Sequence, residues 1–479
     1  MEATLEKGVA KRPLPLDNGD IASTRGRKHA GEDWSLEEGS GAENFEVFQP
    51  TADGVNFRTV GWIWATMIFL KMTFATGVMT IPSAMYSLGA VPGALNIIGW
   101  GALSTYVGVI QGNFRNRHPR CHSIADMADV VGGGVLRELT GALFVATWII
   151  CAASGISGAS TALNALSDHA TCTNWFSLVA TVCIVVMASI RKFEKLGWLT
   201  WAGFASVFTA VLIVVIGVTL NERPAAAPQT GVFELGYHAF GVPSFMEGVS
   251  AAATIFASGA GTSAFLPVIS EMRNPRDYKK ALYACMSIVV ASYLSFSLVV
   301  YRWCGQWVAS PSLGSAGPTL KKVAYGIGLL GLLVTGCLYV HVSAKYIFVR
   351  ILRNSKHLQA NTVIHWGTWL CCTVCLSIIA FLIASAIPIF NYILGLAGSL
   401  GFAPIALILP AWLWVHDHGD WRTASPMKAV AYYLHWLMAL LGVFMTVGGT
   451  YGIIDSVIAA YREGTIGSVF SCADNSNSV

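Results

Sequence analysis

Long apolar stretches separated by short polar clusters run through most of the chain. Windows of about twenty apolar residues match the hydrocarbon thickness of a bilayer when coiled as helices. Bounded by charge, Pro or Gly, they predict eleven helices near residues 60–88, 91–113, 136–166, 175–190, 197–220, 246–271, 278–304, 322–350, 362–386, 388–415 and 428–458. Residues 1–58 mix charge, Gly, Pro and Ser without an apolar run, so they read as a disordered cytoplasmic tail and not as a signal peptide. Residues 461–479 read as a second short tail, too polar to pack, which leaves 59–460 as a transmembrane domain.

Composition and charge then narrow the class. Charged residues make up 12% of the 479, half of the roughly 25% in a soluble domain. The first 58 residues hold 11 of the 26 acids and 7 of the 30 bases, so the remainder is poorer still. With a mean hydropathy of +0.58, such a surface excludes a soluble enzyme, and the missing basic stripe excludes a nucleic-acid binder. If the N-terminus is cytoplasmic, 24 of the 30 basic residues fall inside. Only Arg223, Arg302, Lys321, Lys322 and Arg462 fall outside. That bias satisfies the positive-inside rule and sends the C-terminus outside. The thirtieth, Lys71, lies within the first helix.

Most of the eleven cysteines sit in apolar segments, where a thiol acts as a small hydrophobe. Cys371, Cys372 and Cys375 share a helix without His or acidic partners, so no metal site is expected. Cys172 and Cys304 both fall near predicted outer loops; a disulfide between them suits that compartment and is undecided by sequence.

Two helices carry matching interruptions. Helix one contains Met72-Thr-Phe-Ala-Thr-Gly-Val-Met-Thr-Ile-Pro82, and helix six contains Ala257-Ser-Gly-Ala-Gly-Thr-Ser-Ala-Phe-Leu-Pro267. Gly weakens a helix, and Pro removes an amide from the ladder. The two lie five helices apart, at corresponding places in a first and second set of five. Paired breaks point to an inverted-repeat transporter, whose unwound backbone offers free N–H and C=O groups to a substrate near the midplane. Two ordinary membrane-helix kinks are the bland alternative.

The stretch Lys71-Met-Thr-Phe-Ala-Thr-Gly-Val-Met-Thr-Ile-Pro-Ser-Ala-Met85, followed by Gly89, resembles the first-helix signature of the amino acid/auxin permease family, a branch of the amino acid–polyamine–organocation superfamily. Gly108-Val-Ile-Gln-Gly-Asn-Phe-Arg115, His122-Ser-Ile-Ala-Asp-Met127 and Asn274-Pro275 are similar to the fungal neutral amino acid permeases. The resemblance covers about residues 55–460. It implies an all-α polytopic membrane protein with a LeuT-type 5+5 inverted repeat plus one helix, and helices one and six broken. It also implies uptake of amino acids coupled to a downhill ion, usually the proton in fungi, with no other cofactor. The plasma membrane is the expected location; a vacuolar membrane or another small solute is the main alternative.

A zwitterionic amino acid brings a carboxylate and an ammonium into a low-dielectric cavity, where each must find partners. Half-helix N-termini suit the carboxylate and unwound carbonyls the ammonium. Those roles fall to the backbone around Thr76, Gly77 and Val78, and around Ser258, Gly259, Ala260, Gly261 and Thr262. Thr73, Thr76, Ser258 and Thr262 add hydroxyls, which otherwise bond back to their own helix. Trp148 and Asn391 are candidate pocket walls. No acid is expected at the midplane: the nearest, Glu247, is about eleven residues from the second break, or ~16 Å. A site without a carboxylate should reject lysine and arginine, which favours neutral amino acids.

Lys71 is the leading candidate for ion coupling. Sodium-coupled relatives carry a neutral amide ligand at what looks like this position, so the ammonium would stand where sodium sits. Keeping it charged in hydrocarbon is costly, which would let it load and release a proton; snorkelling is the alternative. His341 in helix eight is the second candidate, near a hydroxyl ligand of related sodium sites. Lys345, one turn on, is expected to snorkel. The run Gly259-Ala-Gly-Thr-Ser-Ala264 lacks the strand and acid of a dinucleotide site. Neither Ser160 nor Ser258 has the paired histidine of a protease nucleophile, and no charge ring marks a channel.

Overall fold

A computed structural model describes residues 58–191, 193–353, 355–387, 390–463 and 469–476, with the backbone alone for Ala75, Thr76 and 193–195. The expectation for the N-terminal tail therefore lies almost wholly outside the described residues. Their regular secondary structure is helical, with one isolated parallel β-bridge between Val60 and Met272. In chain order the helices are α1 (Trp62–Leu88), α2 (Ala90–Arg117), α3 (Ile124–Ser167), α4 (Thr173–Ala188) and α5 (Phe193–Leu220). Helix α6 comes in two pieces, α6a (Phe245–Gly259) and α6b (Phe265–Glu271), followed by α7 (Tyr278–Cys304), α8 (Pro318–Leu352) and α9 (Val363–Ala386). Finally α10 is a bent pair, Phe390–Phe402 and Pro404–Asp417, and α11 spans Pro426–Arg462. Among the described residues nine helices are long and apolar enough to cross a membrane, ten if the bent pair is one span, and α4 is a shorter apolar helix. Each predicted segment thus has a helical counterpart.

Burial sorts these helices into a centre and a sheath. The apolar window of α6 is 94% buried and that of α1 88%, against 33% for α11. The inner helices owe this to small residues that let backbones approach. On α3 and α8, a Cβ at Gly155 would stand 2.8 Å from the Gly336 Cα. Helix α3 begins earlier than its apolar pattern suggests, because Ser123 and Asp126 form a capping box. It turns at Gly133, whose φ of 72° suits glycine.

The two expected breaks differ. Helix α6 is interrupted at Ala260 (φ −82°, ψ 0°), after which Gly261–Ala264 form one 3-10 turn. Pro267 then falls in the first turn of α6b, where its missing amide costs little. Helix α1, expected to be broken, runs on as a helix through Gly77 and Pro82. Helix α10 bends by 42°, with π turns at Ala397–Phe402 and Pro404–Ile408.

The polar C-terminus packs, contrary to expectation. Cys172 is bonded to Cys472, and Cys304 is a free, buried thiol, so the pairing considered between Cys172 and Cys304 is not the one formed. Around that bond the Thr173 hydroxyl donates to the Ala473 carbonyl (2.6 Å), Asn164 Nδ2 to Asn475 Oδ1 (2.7 Å) and Lys321 Nζ to the Ser476 carbonyl (2.6 Å). A polar segment can pack here because the helix ends beneath it offer hydrogen-bonding partners. This end of the bundle is the disulfide face. The opposite end carries most of the Lys and Arg, with Arg353 on Asp126 (2.8 Å), Arg117 on Asp417 (2.6 Å) and Arg350 on Glu138; it is the basic face.

Candidate functional site

The interruption in α6 lies against the middle of α1; one tyrosine fastens the two together and a second fastens α1 to α8. The Tyr293 hydroxyl of α7 shares its proton between the carbonyls of Thr73 (2.6 Å) and Ser258 (3.0 Å). The Tyr339 hydroxyl of α8 donates to the Met72 carbonyl (2.8 Å). This explains Gly77, which lies within a continuous helix. A Cβ there would stand 2.1 Å from the Tyr293 oxygen and 2.7 Å from the Ser258 Cβ. Gly77 therefore serves close packing of three helices, not a break. Val78 is buried in the same helix, with its carbonyl facing the amide-free Pro82. The Thr76 side chain lies outside the described residues.

On the other side of the break stands an aromatic group. Trp148 of α3 is buried, 5.3 Å between ring centroids from Tyr339 and 5.3 Å from Phe402 of α10. Its ring edge would be 3.1 Å from a Cβ on Gly261, so this glycine makes room for the indole. The Trp148 indole nitrogen and the hydroxyls of Thr262 and Ser263 are buried without a hydrogen-bonding partner among the described residues. Ser258 bonds back to the Thr254 carbonyl (2.9 Å), the bland outcome for a helix hydroxyl. Gly259 is roomier, with Ser104 Oγ 3.7 Å from the position of its Cβ. Unpaired buried donors and hydroxyls cost about 1–3 kcal/mol each, and a polar ligand at the break would satisfy them. Asn391 is not part of this group: its Nδ2 donates to Ser83 Oγ (2.7 Å), joining α10 to α1 nearer the disulfide face.

Lys71 is fully buried and does not snorkel. Its Nζ donates to the Thr335 hydroxyl of α8 (2.6 Å), which in turn donates to the Gly331 carbonyl (2.7 Å). The Val334 side chain and the Lys71 Cε close around Gly203 of α5. No ion pair to Lys71 is seen among the described residues. His341 is not brought to this amine. Six residues from Thr335, it faces another side of α8 and packs on Trp369 of α9, 4.9 Å between ring centroids. Thr335 is the α8 hydroxyl that meets Lys71.

Lys345 also departs from its expectation. It is 1% exposed and its Nζ lies 2.6 Å from Glu271 Oε1, itself 1% exposed, at the end of α6b. Glu247 is not the nearest acid: Glu271 lies eleven residues after the interruption at Ala260, and Glu247 thirteen before it. Tyr293, Tyr339, Phe402 and Thr335 were missed too. A tyrosine inside an otherwise apolar helix is the one signal that could have singled out the first two, since its hydroxyl needs a partner.

Residues 58–455 match the model of a family described as transmembrane amino acid transporter protein. A transmembrane transporter of Gibberella moniliformis is 50% identical over 91% of this chain and 92% of its own. An N amino acid transport system protein of Neurospora crassa is 27% identical over 87% of this chain and 89% of its own. Among solved structures, Mhp1, a nucleobase-cation-symport-1 family transporter in a closed conformation with bromovinylhydantoin bound, matches with a TM-score of 0.53. It covers 90% of this chain and 100% of its own at 14% identity, a likeness of fold. With all-helical architecture, a matching transporter fold and a family match over residues 58–455, this multi-pass membrane protein belongs to the transmembrane amino acid transporter family.

Proposed function

We propose that the protein is a proton-coupled symporter that takes up neutral amino acids across the plasma membrane by alternating access, with its N-terminus cytoplasmic and its C-terminus outside. The observation that carries the reading is Lys71: a buried ammonium at the α1–α8 contact whose partner is a neutral hydroxyl. Among the described residues no ion pair neutralises its charge, and an ammonium held in a dry, apolar interior is costly unless it serves a pathway. The substrate would bind at the α6 interruption, where the Trp148 nitrogen and the Thr262 and Ser263 hydroxyls lack partners. Between Gly248 and Ser270 helix α6 carries no carboxylate, nor do α1 and α8. The one acid at the end of α6b is paired with Lys345. This suits a substrate whose side chain is uncharged. The fungal relative with amino acid transport in its name is consistent with that class. A disulfide on the C-terminal face fits an oxidising exterior, independently of the distribution of Lys and Arg.

Uptake of a labelled amino acid panel is the test. Neutral amino acids should accumulate, a protonophore should abolish accumulation, and sodium replacement should leave it intact. Lys71→Ala should lose at least about tenfold of the accumulation ratio while reaching the membrane normally. Accumulation that needs sodium, or an unchanged pH profile in Lys71→Ala, overturns the coupling role.

A further inference from the structure

The buried pair at the basic face has no part in the binding or coupling just described. Glu271 ends α6b, and its main chain is bonded to the segment preceding α1: the Val60 amide donates to the Glu271 carbonyl (3.0 Å), and the Arg273 amide to the Val60 carbonyl (2.8 Å). Higher up, the Phe69 and Phe265 rings stack at 3.9 Å between centroids. The first half of α1 and α6b are therefore fastened to each other at two levels. Lys345 belongs to a different body. It sits on α8, which is locked to α3 through the Gly155–Gly336 contact, and its Nζ also donates to the Arg191 carbonyl between α4 and α5 (3.4 Å). The ion pair thus ties the α1–α6b unit to the α3–α8 frame.

Its burial bears on its role. Two charges at 1% exposure gain strong attraction in a low dielectric, but they have lost their hydration, so the pair adds little net stability over a well-packed apolar pair. What it does provide is a contact with two sharply different states: made when dry, and readily exchanged for water once water enters. That property suits a joint which must open and shut.

We propose that Glu271 and Lys345 form the latch of the cytoplasmic exit path. While the pair is made, α1 and α6b stay against α8 and the binding site is sealed from the basic face. When it parts, the two fastened segments swing away together and release substrate. This rests on the alternating-access reading above. The residues act as positioning residues, since neither touches the substrate site.

Val342 reports the state of the joint. It is buried, three residues from both Tyr339 and Lys345 on one side of α8. In inside-out vesicles, a maleimide should label Val342→Cys slowly above the background of the same chain with Val342 retained. Adding Glu271→Gln should raise the labelling rate by about tenfold or more. The swap Glu271→Lys with Lys345→Glu should bring it back toward the slow rate. Since removing one charge of a buried pair can prevent folding, Glu271→Gln with Lys345→Met supplies a neutral variant, which should label fast as well. Slow labelling in both neutralised variants, or fast labelling in the swap, overturns the latch. The rate is read without substrate or ion gradient, so an error in the substrate class or coupling ion would appear in the uptake panel and leave the labelling result untouched.

Discussion

The two ends of the bundle are closed in different chemical ways. At the disulfide face a covalent bond, Cys172–Cys472, holds the C-terminal segment across the α3–α4 turn, with hydrogen bonds reaching α8 through Lys321 and the end of α9 through the Phe470 amide on the Ser385 carbonyl (3.1 Å). At the basic face α6b is tied to α8 by the Glu271–Lys345 pair and to the segment before α1 by the short backbone bridge at Val60. The bodies joined differ as well. The disulfide fastens a tail to helices that also pack on one another, while the ion pair fastens α6b to α8. A covalent tie within a frame is suited to permanence, and an electrostatic tie between two bodies is suited to reversal. The difference predicts that breaking the first changes stability alone, and breaking the second changes which face is open.

The largest expected effect comes from removing one charge of the buried pair. Lys345→Ala takes away the cation that faces the Glu271 carboxylate, both 1% exposed, at a cost of about 3–5 kcal/mol. Thermal unfolding in detergent should register that loss, and the neutral double variant should recover much of it. Equal loss in the two would mean that packing, not the missing charge, governs this joint.

Next comes the covalent tie. Cys472→Ser opens a bond between residues 300 apart in sequence, for which the loss should be of order 2–4 kcal/mol. Reductant should lower the unfolding temperature of the parent chain and leave that of the variant unchanged. The labelling rate at Val342→Cys should be the same with and without Cys472. Faster labelling there would join the two faces and dissolve the contrast between them.

What the sequence conveyed follows from how local each feature is. Helix segments were readable because apolar windows are local, and the α6 interruption because Gly259, Gly261 and Pro267 mark it within a dozen residues. The same kind of signal misled at α1. Gly77 and Pro82 look alike in sequence to their counterparts, but a tyrosine from α7 had taken the space that Gly77 leaves. Lys345 looked like a snorkelling residue near a helix end because its partner is 74 positions earlier and brought close only by tertiary packing. Cys172 had a plausible partner in Cys304; the one it has lies in a segment judged too polar to pack. Lys71 and Trp148 were found because a charge inside an apolar helix, or an indole in its middle, stands out without any neighbour being known. Tyr293 and Tyr339 offer a weaker contrast, a hydroxyl inside an apolar helix, and Thr335 offers none until its acceptor is visible.

The smallest effect tests whether burial, and not merely charge, sets the basic-face pair apart. On the disulfide face Lys322 Nζ lies 2.7 Å from Asp168 Oδ2, a separation close to the 2.6 Å of Lys345 and Glu271, but with side chains 44% and 59% exposed. Water and salt screen such a pair, and two side chains must be held still to make it, so its net contribution is about 0–1 kcal/mol. Asp168→Asn removes the charge and suits the backbone, because Asp168 has a φ of 51° and Asn tolerates that left-handed conformation. Thermal unfolding should shift by less than about 0.5 kcal/mol, and raising salt to about 1 M should erase what remains. If Asp168→Asn instead destabilises the chain as much as Lys345→Ala, ion-pair distance alone would account for both, and the special place given to the buried pair would be lost.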